Sequence, residues 1–312
     1  MKGAFRRQLD QRTMNNNTIF KNESAGTDYS ASTNIITIVH CVLNAVLMLA
    51  AITGNSLVIA AIFRTPTLRS PFTTLLCSLA VSDILVGFVA QPLFIAIELK
   101  GFLYFLEKMF SFMTYGCCGV SLCTMTIISL DRFAALHYHM RYVTMVTTTR
   151  VLCTLVIIWV IIFVSLGIFF WNINIYFFIA AAFIAICVLI SSFCYIRIFQ
   201  IVRRHKAHIQ AQHQAVQNAN NNMNIIRLKK SSMSTFVFHI VLILCYFPMF
   251  LNLVFFGIDT QAKVTQKWNL YTSIVYLNSS INPVLYCWRL SDLRSAITKT
   301  ARKMFCKQID QL

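Results

Sequence analysis

Residues 151–196 form a run of 46 positions without a single Asp, Glu, Lys or Arg. As one α-helix this run would extend about 69 Å, more than twice the ~30 Å hydrocarbon core of a bilayer. It must therefore hold two spanning helices. The only polar break near its middle, Trp171-Asn172-Ile173-Asn174, marks the turn between them. Composition rules out a water-soluble alternative. Hydrophobic residues make up 57% of the chain and charged residues 12%, whereas soluble domains carry about a quarter charged residues and would aggregate with so much apolar surface.

Five further windows are as poor in charge. Residues 35–63, 109–130, 231–258 and 268–288 carry none, and residues 70–97 carry only Asp83. Each is close to the ~20 apolar residues that a spanning helix needs, and none shows the strict alternation of a barrel strand. Seven spans are predicted, near 34–63, 71–97, 104–136, 149–171, 174–202, 229–257 and 267–288. The expected fold class is an all-α membrane protein. It comprises a seven-transmembrane helix bundle with a short amphipathic helix after the seventh span. The expected organisation is an extracellular N-terminal tail over 1–33, a seven-transmembrane receptor domain over 34–288, and a cytoplasmic amphipathic helix and short tail over 289–312.

The net charge of +17 does not point to nucleic acid, because the basic residues flank the spans. With the amino terminus outside, 18 of the 27 Lys and Arg residues fall on the cytoplasmic side, as the positive-inside rule requires. Sequons at Asn16 and Asn22 lie in the N-tail and fit glycosylation there, although chance accounts for sequons in an Asn-rich tail equally well. No cleavable signal peptide is visible in the polar first 30 residues, so the first span is expected to serve as its own insertion signal. The eleven cysteines are scattered through apolar runs without zinc-type spacing and read as small buried hydrophobes.

An ionisable side chain inside a span costs ~2.5–3.5 kcal/mol on insertion scales and calls for a reason. Asp83 is the clearest case, and Asp131-Arg132 close the third span. Asn55 lies on the first span. Asn278 and Asn282 share a face of the seventh, with Pro283 next and Tyr286 one turn on. On the third span Thr114, Cys118, Ser121, Met125, Ile128 and Arg132 recur at spacings of three and four, forming one stripe. Packing alone also produces such stripes; the charged foot argues for function.

Gly54-Asn55, Leu79-Ala80-Val81-Ser82-Asp83, Asp131-Arg132-Phe133, Trp159, Cys245-Tyr246-Phe247-Pro248 and Asn282-Pro283-Val284-Leu285-Tyr286 occur in this order on spans one, two, three, four, six and seven. With these motifs the chain resembles a rhodopsin-like (class A) G protein-coupled receptor over about residues 34–306. The resemblance implies a receptor that converts binding of an extracellular ligand into activation of a heterotrimeric G protein, at the plasma membrane, with arrestin and membrane lipids as further partners. It implies a sodium and water pocket at Asp83, Asn55, Ser121, Asn278 and Asn282; a hydrogen-bonded carboxylate without metal is the alternative. It also implies a coupling switch at Asp131, Arg132, Met140, Tyr195, Pro283 and Tyr286. Phe133 replaces the usual tyrosine, and no acid stands near Leu228 to hold Arg132 across spans, so a weak resting lock is expected.

The family's ligand pocket maps onto Gln91, Phe94, Glu98, Glu107, Thr114, Cys118, Tyr246, Phe250, Thr272 and Tyr276. It is mostly apolar, which suits a lipid or the apolar tip of a peptide, and core packing accounts for most of these residues equally well. Glu98 and Glu107 at its rim suit a basic peptide or calcium, or are simply solvated. Thr114 replaces the aspartate that pairs with monoamines in the family, and Tyr276 replaces the lysine that carries retinal. Glu107 also stands where most members have a cysteine, and no disulfide is expected. With Cys187 replacing the proline of span five, this pattern resembles the melanocortin, cannabinoid, lysolipid and adenosine branch, and melanocortin receptors most. After span seven, Leu290, Leu293, Ile297, Ala301 and Phe305 alternate with Arg294, Lys299, Arg302 and Lys303 as on a basic amphipathic helix, and Cys306 resembles a palmitoylation site.

A transporter or channel is the rival reading. No internal repeat and no pore-lining ring of charge is found. An intramembrane enzyme is not expected, since no H-E-x-x-H motif occurs.

Overall fold

The computed structural model describes residues 35–100, 104–138, 141–213, 237, 239–255 and 266–309. Helices account for nearly all of them. The first span is α1 (Ile35–Arg64). It ends at a short 3-10 turn, Pro66–Leu68, where Pro66 opens the turn and Arg69 closes it. Span two begins with α2 (Pro71–Leu85). Ser70 Oγ accepts from the Thr73 amide and Thr73 Oγ1 accepts from the Ser70 amide, a reciprocal cap, with Pro71 in the first turn where its missing N–H costs nothing. A π-helical turn, Val86–Ala90, then interrupts the span before α3 (Gln91–Lys100). Pro92 lies just past this turn, and a ring without an N–H breaks the regular hydrogen-bond ladder there.

Span three is α4 (Tyr104–Tyr138), 35 residues and about 52 Å long. It packs against spans two, four and five and is the axis of the bundle. A short helix, α5 (Tyr142–Met145), follows on the inner loop. Span four is α6 (Thr148–Ser165) followed, after Leu166, by α7 (Gly167–Trp171). The two helices predicted within residues 151–196 are present, and the turn falls at Asn172. Its Oδ1 accepts from the amides of Asn174 and Ile175 and so caps α8 (Ile173–His213), the fifth span.

Span six is described over α9 (His239–Phe255). Span seven is α10 (Gln266–Arg289), with Pro283 inside it, and α11 (Ser291–Ile309) follows directly. The helices for spans one to five are each long and apolar enough to cross a membrane. Their outward faces carry exposed Leu, Ile, Val and Phe, while small and polar residues turn inward, the arrangement expected where lipid is the solvent. On α11, Leu293 and Ile297 are buried while Arg294, Lys299, Arg302 and Lys303 are exposed, so the predicted amphipathic pattern is realised.

Spans one and seven are fastened closely. Asn44 Nδ2 donates to Ser273 Oγ at 2.8 Å, Asn55 Nδ2 to the Ser279 carbonyl at 3.1 Å and Ser280 Oγ to the Leu47 carbonyl at 2.8 Å. Gly54 faces the Pro283 ring so tightly that a Cβ there would lie 2.8 Å from Pro283 Cγ.

Candidate functional site

The inner face of α4 organises the site. Thr114, Cys118, Ser121, Met125 and Ile128 are all buried, and Arg132 at the foot of the stripe is partly exposed. Each position binds a different neighbour. Near the top, the hydroxyls of Thr114 and Tyr276 share a hydrogen bond of 2.7 Å. One turn further in, Tyr246 Oη donates to the Cys118 carbonyl at 3.0 Å, which ties span six to span three. Phe94 completes this layer, with its ring against Phe110 and edge-on to Tyr276.

At mid-depth Asp83 is fully buried. Ser121 Oγ donates to one carboxylate oxygen at 3.2 Å, and Asn282 Nδ2 to the other at 2.8 Å. Ser82 bonds the Ser121 hydroxyl at 2.8 Å. Thus spans two, three and seven meet on one carboxylate, whose burial is tolerable only because donors surround it. The side-chain oxygens of Asn55, Asn278 and Asn282 are buried without a hydrogen-bond partner. Two of the five predicted pocket residues do not bond the carboxylate: Asn55 donates to the Ala51 and Ser279 carbonyls, and Asn278 donates to the Met125 sulfur at 3.7 Å. Their amide groups are engaged by backbone carbonyls and by sulfur. Among the described residues no group of three or more His, Cys, Asp and Glu is placed to hold a metal.

At the foot, Arg132 Nε and Nη2 donate to Asp131 Oδ2 at 3.1 and 2.5 Å. The other carboxylate oxygen, Oδ1, accepts from Tyr142 Oη at 2.6 Å. The guanidinium carbon lies 3.7 Å from the centroid of the Phe72 ring, a cation–π contact with the start of span two. Burial, then the bond to Asp131 and its charge, push the Tyr142 phenol well above the ordinary tyrosine range, so it stays a donor. The sequence reading missed both Tyr142 and Phe72. A tyrosine eleven residues after an aspartate carries no local signal, since only the fold of the inner loop brings the two together.

The family model for the seven-transmembrane receptors of the rhodopsin family matches residues 54–175. Trace amine-associated receptor 4 of Mus musculus is 28% identical over 284 residues, covering 79% of this chain and 81% of that protein. Melanocortin receptor 3 of Homo sapiens is 28% identical over 273 residues, covering 81% and 80%. Histamine H2 receptor of Cavia porcellus is 29% identical over 296 residues, covering 84% and 77%.

Over most of its length this chain is similar to rhodopsin-like G protein-coupled receptors. It signals through a G protein in response to an extracellular ligand, as a multi-pass protein of the plasma membrane, and it is neither a transporter nor an enzyme.

The receptor brings most of its sequence-predicted site residues onto one axis. Gln91, Phe94, Thr114, Cys118, Tyr246, Thr272 and Tyr276 are all buried in the half of the bundle away from Arg132, with Phe250 partly so. Glu98 is half-buried at the rim and accepts a hydrogen bond from Asn269, while Glu107 is half-buried in the first turn of α4. Lys108 sits over the Phe169 ring, 4.7 Å from its centroid. Tyr195 and Tyr286 are buried toward the inner half, and Pro283 packs on Gly54. Met140, Asn16 and Asn22 lie outside the described residues; Cys306 lies within α11, but its side chain is outside them. The described cysteines, Cys117 and Cys118 among them, are free thiols.

Proposed function

We propose that the receptor, with its amino terminus outside the cell, is a peptide receptor that releases Arg132 when a ligand enters the layer of Phe94, Thr114, Tyr246 and Tyr276. The observation that carries this reading is the single buried stripe of α4. It joins the Thr114–Tyr276 bond at the top to the Arg132–Asp131–Tyr142 cluster at the foot through one continuous helix. A ligand that displaces Tyr276 or Tyr246 pulls directly on spans seven and six, and the opposite end of the bundle responds as a two-state element.

The ligand's chemistry follows from the lining. Among the described residues no carboxylate stands deep in the layer, where Thr114 is bonded to Tyr276, and the acids Glu98 and Glu107 sit at the rim. A peptide with an apolar tip and a basic residue beside it matches both. Tyr195, Pro283 and Tyr286, with Met140 on the inner loop, serve the coupling face for the G protein, and arrestin uses the same face. Asn16 and Asn22 carry glycans, and Cys306 a palmitoyl chain next to lipid-binding α11.

The donor set at Asp83 fits sodium: a buried carboxylate, the Ser121 hydroxyl and the unpartnered amide oxygen of Asn282 are ligands of the kind hard cations take. Asp83 and Ser121, with Asn282 beside them, would hold the ion, which would supply the charge that the carboxylate lacks and favour the resting arrangement. Sodium is then expected to lower ligand-free activity, and Asp83→Asn to abolish that effect; a sodium response surviving in the variant would end this reading. The receptor reading of the ligand is tested by nucleotide exchange on membranes bearing the receptor and G protein, challenged with basic peptides, lysolipids and amines. Stimulation by lipids or amines alone would overturn the peptide assignment.

A further inference from the structure

One contact between spans five and six is absorbed by none of the sites above. His239 opens the described part of α9 and is buried. Its Nε2 lies 3.0 Å from Ser192 Oγ on span five. Ser192 already donates its only proton to the Val188 carbonyl at 2.7 Å. The serine must therefore accept, and the imidazole must carry its proton on Nε2. The ring also stacks on Tyr195, with centroids 4.7 Å apart and planes 29° apart. The Tyr195 hydroxyl in turn bonds Ser129 Oγ on span three at 3.2 Å, one turn above Arg132.

We infer that His239 is a positioning residue for activation: it holds Tyr195 in its resting place and fastens span six to span five until a ligand acts. The inference rests on the switch reading at Arg132. The chain of contacts runs Ser192, His239, Tyr195, Ser129, and its last member lies on the helix that bears Arg132. Any outward movement of span six breaks the Ser192 bond and unstacks the imidazole at the same moment. The Tyr195 ring is then freed beside Arg132. His239 Nδ1 is buried without a hydrogen-bond partner, so the clasp is incompletely satisfied and opens at modest cost. Among the described residues no acid of span six meets Arg132, and a clasp of this kind supplies a restraint between spans five and six.

The test is ligand-free nucleotide exchange in membranes containing the full receptor and each class of G protein, normalised to receptor at the cell surface. Ser192→Ala and His239→Phe, which keeps an aromatic ring but loses the bond, are each expected to raise exchange roughly fivefold, the shift expected for one lost hydrogen bond. The double variant is expected to match the singles, because both remove the same bond. His239→Leu, which also loses the stack, is expected to rise further. A residue that merely packs would lower surface expression and melting temperature without raising exchange, and its effects would add. Asp131→Asn serves as the reference. If it raises exchange while the Ser192 and His239 variants reach the surface and stay at the unsubstituted level, the clasp is overturned and the Arg132 switch stands. If Asp131→Asn is also flat, both fall.

Discussion

At the residue scale the most informative side chain is Asp131, because it is shared. One oxygen serves Arg132 and the other serves Tyr142. Phe133 lacks the hydroxyl that the resemblance led one to expect, and Asp131 instead receives one from Tyr142. Tyr142→Phe removes that hydroxyl and little else. It is expected to raise ligand-free nucleotide exchange by about tenfold or more, the effect of one hydrogen bond to a charged partner; an unchanged rate would show that Tyr142 does not restrain Asp131. The pH dependence has a definite sign. The phenol's folded pKa is raised, so its contribution is fully present below the ordinary tyrosine value of about 10 and is lost only above it. Exchange should therefore show no Tyr142-dependent change between about pH 7 and 9, as judged by the ratio of wild type to Tyr142→Phe across that range.

At the scale of the helices, glycines separate close approach from convenience. A Cβ at Gly54 would strike the Pro283 ring, which cannot move aside without shifting span seven. Gly54→Ala is expected to cost about 1–3 kcal/mol by overpacking, seen as a fall of several degrees in the melting temperature of the detergent-purified receptor. A Cβ at Gly167 would meet nothing within 4 Å. Gly167→Ala should be neutral or stabilising by up to about 1 kcal/mol, since alanine is the better helix former. Reversal of this order would contradict the packing of spans one and seven. The helices also differ in how readable they were. Span four and span five separate where Asn172 predicted, because a side-chain cap is a local event. The π-helical turn at Val86–Ala90 was not foreseen. Gln91-Pro92 hinted at a disturbed ladder, but how the extra residue is absorbed depends on what the helix packs against.

At the scale of the whole molecule, charge asymmetry predicts an amino terminus outside the cell, and glycan mapping checks it. The unsubstituted receptor from eukaryotic cells should shift to lower mass with glycosidase. Asn16→Gln with Asn22→Gln should remove the shift, and a receptor that never carries glycan in the tail would argue against that orientation. The number of spans, their order, the family and the inward stripe of α4 were legible in the residues alone. Those properties follow from what a bilayer excludes and from helical periodicity, and both are written locally along the chain. Partnership was not legible. Nothing in the sequence says that Asn278 turns to a methionine sulfur instead of Asp83, that Tyr142 reaches Asp131, or that His239 clasps Ser192 and covers Tyr195. Such pairings join residues up to 153 positions apart and depend on ångström differences in helix rotation and tilt. Packing of the assembled bundle settles those differences, and hydropathy carries no record of them.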